Sequence, residues 1–402
     1  MVRRTAYGAL LAGALLTFAA CKEPAPVGPI SAGVSNFPTA PSSLGWQERA
    51  RGLVAGANLS PLAAARVYAA LSVAQYRAVS ATDDADTDGS LPADGGGIGA
   101  GGRAALEAHR GAVAGASAAV LSFFFSSAAS SLEQRVHDEG NAGPGGVHPA
   151  FTRGAELGRA AGAAMVQRLQ HDGFTTPWTG SVPVGPGKWI ANGPPAGPTF
   201  GGVSPYFLNS GDQFRPAEPP AFGSPAFLTD LNEIHTLAVT RTPEQRAIAI
   251  QWNYGTGSFT PIGYWDLVTA DYITEYRLDE RAATRALALT AGAMMDALIA
   301  CWDAKYVYFY IRPPQADPTI TLALALPNHP SYPSGHSCAS AAAATVLSEL
   351  FPEHSAGLAA QVTEAGLSRM YAGIHYRFDI TAGQVLGNSV GRWALEHQER
   401  LQ

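Results

Sequence analysis

A chain of 402 residues, 47% of them hydrophobic, is long enough to bury a large core. Only 14% are charged and the net charge is −6, so no basic surface for nucleic acid is on offer. Alanine is abundant while Gly and Pro gather in a few stretches, the composition of helices joined by long loops.

The first residues form a targeting segment. Arg3 and Arg4 precede a short apolar run, Gly8 to Phe18, and Ala19 and Ala20 set small residues before Cys21. This order predicts a signal peptide over residues 1–20. The apolar run is too short to cross a bilayer. The segment resembles a bacterial lipoprotein signal with Cys21 as the lipidated residue, although Phe18 stands where such signals carry Leu. The expected location is outside the cytoplasm: periplasmic, anchored to the outer membrane through that lipid, or secreted. Residues 21–43 are rich in Pro, Ser and Gly and read as a flexible tether. Residues 44–402 are expected to form a single helical domain. The longest later apolar stretch, Ala283 to Cys301, carries Arg285 and Asp296.

Helical periodicity begins at Trp46 and runs to Val79, as one or two helices. An acidic and then Gly-rich loop is expected from Asp83 to Gly102. Within it Asp84, Asp86, Asp88 and Gly89 have the opening spacing of a calcium loop, but Gly95 stands where the bidentate Glu belongs, so a solvated loop is the better reading. Arg103 to Leu132 and Ala150 to His171 are helical again. Thr175 to Pro225 is dense in Gly and Pro with scattered aromatics; a structureless stretch this long is functional or wraps the core. Helices resume at Phe227 and continue through Thr242–Trp252, Ile262–Glu275, Asp279–Ile311, Ser334–Leu350, Ala356–Arg369 and Ile380–Gln398. No repeat and no alternating strand pattern is found. The fold class is all-α, a helical bundle with long Gly/Pro-rich loops. Cys301 and Cys338 could form one disulfide or remain buried thiols. His109, His137, His148, His171, His235, His354 and His397 show no metal-ligand spacing.

Three patches near the C-terminus carry chemistry. Lys305 and Arg312 are separated by six residues, about two helical turns, which would put both cations on one face. Tyr332-Pro333-Ser334-Gly335-His336 enters an Ala-rich helix, with Ser334 at the N-cap and Gly335 allowing close approach of an anion to backbone N–H groups. Ser368-Arg369 is followed by His375 and, four positions on, Asp379. One turn of helix would let that carboxylate take the His375 Nδ1 proton and free Nε2.

These patches resemble the signature of the phosphatidic acid phosphatase type 2 and vanadium haloperoxidase superfamily: Lys, six residues, Arg-Pro; Pro-Ser-Gly-His; Ser-Arg, five residues, His, three residues, Asp. Every position is filled, and the resemblance covers residues 296–393. It implies a cage for a tetrahedral oxyanion, vanadate or phosphate, held by Lys305, Arg312, Ser334, Gly335, Arg369 and His375. By that resemblance His375 binds vanadium or attacks phosphorus, His336 is the acid/base and Asp379 orients His375. Trp302, three residues before Lys305, and His329, five before Ser334, fall where haloperoxidases of this family form the halide pocket. The implied activity is a vanadate-dependent haloperoxidase converting hydrogen peroxide and halide, bromide or iodide ahead of chloride, to hypohalous acid that meets a small organic acceptor. The alternative is an exported soluble acid phosphatase acting on phosphomonoesters through phosphohistidine, with no vanadate. No nucleic acid partner is implied, membrane contact is through the lipid anchor alone, and a homodimer is a weak expectation.

Overall fold

Helix starts follow the chain's own punctuation. Pro149, Pro225 and Pro243 stand at first helical positions, while the side chains of Ser224, Thr242, Asp279 and Ser334 accept from backbone N–H groups of their first turns. The computed structural model describes residues 40–87, 100–142, 146–255 and 257–401. The signal peptide, Cys21 and most of the tether lie outside these residues, as do Asp88, Gly89 and Gly95 of the acidic loop. Among the described residues there are thirteen α-helices: α1 (Ser42–Gly56), α2 (Pro61–Thr87), α3 (Ala100–Phe124), α4 (Ala129–Asn141), α5 (Pro149–Gln170), α6 (Pro225–Thr240), α7 (Pro243–Gln251), α8 (Thr260–Glu275), α9 (Glu280–Tyr308), α10 (Pro313–Ala316), α11 (Gly335–Leu350), α12 (Ser355–Tyr371) and α13 (Arg377–Glu396). No strand occurs among them, only an isolated bridge between Lys188 and Tyr310. The expected all-α class is the observed one.

The core is built around α9, which packs against α2, α8, α11 and α13. Its length and apolar composition would suffice to cross a membrane, yet 94% of its most apolar window is buried inside the protein. Burying that face on all sides is the arrangement of a central core helix. Cys301 on α9 and Cys338 on α11 are buried, unbonded thiols.

The expected helix Arg103–Leu132 is broken after Phe124, and α4 begins at Ala129 and runs on to Asn141. Two further boundaries differ from the sequence reading, each for a local reason. Helix α2 runs on to Thr87, so Asp83, Asp84 and Asp86 sit on its last turns rather than in a loop. Asp83 is held there by His109 Nε2 at 2.8 Å and by Arg281. The expected helix Asp279–Ile311 ends instead at Tyr308, because Phe309 turns left-handed with φ of 49°. The chain beyond it is extended and takes its hydrogen bonds from the long loop: Trp189 N donates to Phe309 O at 2.7 Å and Ile311 N to Gly187 O at 3.0 Å.

That loop, Thr175 to Pro225, wraps the C-terminal half of α9. Asp296 on α9 accepts from the N–H groups of Tyr206, Phe207 and Leu208 at 2.8, 2.7 and 2.9 Å. Asp303 binds Arg215 through both carboxylate oxygens, at 2.6 and 3.0 Å. Ala196 N donates to Asn328 O at 2.9 Å, which ties the loop to the segment leading into α11.

Candidate active site

The segment 329–336 lies across the end of α9, and the site forms where it meets α12 and the start of α13. Lys305, one turn before the end of α9, is fully buried and gives its three ammonium donors to Pro330 O, Ser331 O and Pro333 O at 2.8, 2.8 and 2.6 Å. Its donors are spent on backbone, so in this state Lys305 pins the segment and contributes its charge to the cage at short range. Arg312 is not on the α9 face, since the helix has already ended; it stands as N-cap of the one-turn α10. It is also fully buried, with Nε donating to His329 O at 2.9 Å and Nη1 to Ile374 O at 2.7 Å. Nη2 lies 3.1 Å from His329 Nδ1, which also stands 3.2 Å from Pro330 O.

Ser334 caps α11, accepting from Ser337 N at 3.4 Å, and leaves the first N–H groups of the helix, Gly335 among them, without an intrahelical acceptor. A Cβ at Gly335 would stand 3.0 Å from the Trp302 ring, so the backbone there approaches the indole as closely as packing allows. Arg369, on the last turn of α12, is 1% exposed and gives Nε to Ser368 Oγ at 2.9 Å and Nη2 to Ala249 O at 2.7 Å.

His375 precedes α13 rather than lying within it, with Tyr376 as N-cap and Asp379 in the first turn. The pairing foreseen between them is formed at the helix mouth: His375 Nδ1 is 2.8 Å from Asp379 Oδ2. The same oxygen accepts from Ser331 Oγ at 2.6 Å and Tyr376 N at 3.1 Å. Burial pushes the Asp379 carboxyl up to about 7, while the Ser331 hydroxyl, the Lys305 charge and the Tyr376 N–H work against it. The Ser331 hydroxyl and the Tyr376 N–H on that oxygen favour the ionised carboxylate, which takes its third bond from a ring N–H. Nδ1 therefore carries the proton and Nε2 the lone pair.

Burial lowers all three cations, Lys305 to about 8, Arg369 to about 9 and Arg312 to about 10, and leaves each protonated at neutral pH. Burial, then the charges of Arg312 and Lys305, hold His375 well below the usual imidazole range. Burial and the Arg369 charge take His336 down to about 3. Three buried cations thus face one carboxylate, Asp379, among the described groups of the site. Uncompensated buried charge is costly. Two guanidinium groups and a helix N-terminus to hold the oxygens, the Lys305 charge beside them and an imidazole lone pair to meet the central atom form a set that fits a tetrahedral oxyanion. The mouth is the side where His329, Gly335 and His336 are partly exposed. There Trp302 and His329 lie with ring centroids 5.0 Å apart, Lys305 Nζ stands 5.5 Å from the Trp302 ring, and the indole N–H donates to Ala196 O at 3.2 Å. Beyond Trp302 lies a separate cavity of about 380 Å³, lined by Pro198, Thr199, Tyr306 and Val307.

Two parts of the site are absent from the sequence reading: Ser331, and the α7 end, where Ala249 O holds Arg369 and Trp252 O meets His336 Nε2 at 2.9 Å. Backbone carbonyls leave no trace in residue type, and a lone serine such as Ser331 is marked only by the carboxylate it meets.

Residues 285–401 match the PAP2 superfamily. Over 57 residues the chain is 44% identical to non-specific acid phosphatases of Salmonella typhi and of Salmonella typhimurium. That match spans 14% of this chain and 23% of the length of those relatives. The fold is similar over far more of the chain to a bacterial vanadium-dependent iodoperoxidase, with a TM-score of 0.75, 24% identity, and 90% of this chain and 97% of that one covered. A bacterial vanadium-dependent chloroperoxidase aligns with a TM-score of 0.70 and 15% identity, covering 91% and 99% of the two chains. The region matched to the PAP2 superfamily holds most of α9 and all of α10 to α13; α1 to α8 precede it.

Proposed function

We propose that this protein is a vanadate-dependent haloperoxidase that uses hydrogen peroxide to oxidise halide, bromide or iodide ahead of chloride, to hypohalous acid. The observation that carries the oxyanion site is the set of buried cations, Lys305 and Arg312 beside His375 and Arg369 beside His336, with His375 Nδ1 fixed on Asp379. The choice of peroxidase is supported by likeness in fold to a haloperoxidase along 90% of the chain, including helices before the region matched to PAP2, whereas the 44% identity to the phosphatases spans 57 residues. Fold alone does not carry an activity, so the assay below decides it.

Arg312 and Arg369 would hold vanadate oxygens, with the Ser334 hydroxyl and Gly335 N–H, and His375 Nε2 would be the ligand to vanadium. Bound vanadate supplies Lewis acidity that activates peroxide toward two-electron oxidation of halide. Preorganised donors of this kind are each worth about 3–4 kcal/mol in other enzymes. Lys305 adds a charge that needs no reorientation. His336 is neutral at physiological pH and takes a proton first, and the charge of an oxyanion raises its pKa by opposing Arg369 and Lys305. Trp302 and His329, at the partly exposed mouth, form the halide pocket, and Phe in place of His329 is expected to change halide preference.

The phosphatase reading retains one specific support, the 44% identical segment. There His375 attacks phosphorus and His336 protonates the leaving alcohol. One preparation assayed two ways separates the readings. Vanadate, peroxide and bromide should halogenate an acceptor, and phosphate release from an aryl phosphate without vanadate should be slow. Phosphate release with no vanadate-dependent halogenation would overturn the proposal. Export is part of the same proposal, with Cys21 as the lipidated residue; mass spectrometry of the mature N-terminus checks it.

A further inference from the structure

The end of α7 reaches the site with two carbonyl groups, Ala249 O on Arg369 and Trp252 O on His336. A carbonyl oxygen only accepts, so His336 Nε2 carries a proton, and in a neutral ring the lone pair is left on Nδ1. One backbone group thereby selects the tautomer of His336, and its position depends on where Trp252 sits. Trp252 is the C-cap of α7 and 3% exposed. Its indole Nε1 donates to Glu364 Oε1 at 2.8 Å, and its ring packs edge-on against Tyr264 with centroids 5.1 Å apart. Tyr264 in turn donates its hydroxyl to Gln361 Oε1 at 2.8 Å. Gln361, Glu364 and Ser368 follow one another at helical spacing on α12, the helix that packs on α7 and delivers Arg369. Helix α12 thus supplies one cation of the cage directly and anchors the carbonyl that holds the histidine.

We propose that Glu364 and Trp252 are positioning residues for His336: their side-chain hydrogen bond fixes the Trp252 carbonyl on Nε2 and so presents Nδ1 to the reacting oxygen. This rests on the reading of His336 as the acid/base group. Glu364 is exposed and touches no other site group, so its loss leaves the oxyanion donors in place.

The test compares Glu364→Ala, Trp252→Phe and the conservative Glu364→Gln, which retains an oxygen for the indole N–H. Glu364→Ala and Trp252→Phe should each lower kcat about tenfold, the effect of losing a hydrogen bond to a charged group. Vanadate affinity and the KM for peroxide should stay within about twofold, since the oxyanion donors are untouched. Glu364→Gln should stay near wild type, and the pH profile of kcat should move only in the first two variants. The ring nitrogens of His336, assigned by loss of their signals in His336→Gln, give a readout that needs neither vanadate nor turnover. In 15N-labelled wild type they should report the Nε2-protonated tautomer, and in Glu364→Ala a mixture. A folded Glu364→Ala with unchanged kcat and tautomer would overturn the proposal, as would a wild-type ring protonated on Nδ1, or vanadate affinity falling in step with kcat. If wild type turns over no substrate in either assay, the function reading fails while the ring signals still decide this one.

Discussion

Two helix pairs are drawn together by the same device and serve different ends. Between α3 and α5, a Cβ at Gly111, Gly154 or Gly158 would lie 2.0, 2.0 or 2.1 Å from a carbonyl oxygen of the facing helix. Between α11 and α13, a Cβ at Gly383, Gly387 or Gly391 would lie 2.8, 2.2 or 2.9 Å from Ser334 O, Cys338 O or Ala342 O. Both seams use the missing side chain to bring backbones into contact. The α3–α5 seam joins helices that carry none of the site residues. The α11–α13 seam sets Ser334 N on Asp379 O at 3.0 Å, and so places the cap of α11 beside the carboxylate that orients His375. Close packing is thus general to this fold, and only one of its seams feeds the chemistry.

The largest effects should come from filling one tight backbone contact in each seam. Gly158→Ala and Gly387→Ala should each lower the unfolding free energy by about 3 kcal/mol, the upper end for overpacking, measured by chemical denaturation. A folded Gly158→Ala should bind vanadate as wild type does; a shared loss of affinity would erase the distinction between the seams. Next, Asp379→Asn removes the carboxylate that holds His375 Nδ1 and should cost about 10- to 100-fold in vanadate affinity or turnover, as loss of a supporting partner does at metal sites. An unchanged titration with vanadate would detach Asp379 from the site. Gly383→Ala meets a looser contact, 2.8 Å from Ser334 O, and should leave a folded protein with vanadate affinity reduced about tenfold. Its counterpart Gly162→Ala, 2.6 Å from the Ala119 Cβ, should leave affinity unchanged by calorimetry.

The smallest effect lies at Asp296, which holds the long loop to α9. Burial pushes its carboxyl from 3.8 up to about 6, against the three N–H groups that it accepts. Between those values the folded chain keeps a proton that the unfolded chain has lost, so stability falls as pH rises through that window. Asp296→Asn should flatten that slope relative to wild type in denaturation curves at pH 4 and pH 6. An identical slope would remove Asp296 from the account.

What could be read in the sequence follows from which interactions use side chains of distinctive type. Lys305, Arg312, Ser334, His336, Arg369, His375 and Asp379 stand at motif spacing, and their charge or cap role is written in their identity. Arg312 reaches the site by an extended segment and not by helical spacing from Lys305: nothing in the run Tyr306–Ile311 announces that Phe309 turns left-handed, since glycine is the usual mark of that turn. The pairing of His375 with Asp379 was legible, but the helix begins between them. The carbonyls of Ala249, Trp252 and Ile374 that hold the site's cations and His336 were invisible, because every residue carries a carbonyl. The seam of Gly383, Gly387 and Gly391 is plain as a four-residue spacing once the helix is known, yet only the partner's backbone shows which contact it makes.

The central claim, that His375 and the buried guanidinium groups hold one oxyanion, is tested most directly by a crystal structure of the protein grown with vanadate, with vanadium located by anomalous scattering. The account predicts one vanadium bonded to His375 Nε2, with Arg312 and Arg369 donating to its oxygens and the His375 Nδ1 to Asp379 hydrogen bond intact. Vanadium seated elsewhere, or a cage without vanadium at saturating vanadate, would contradict it.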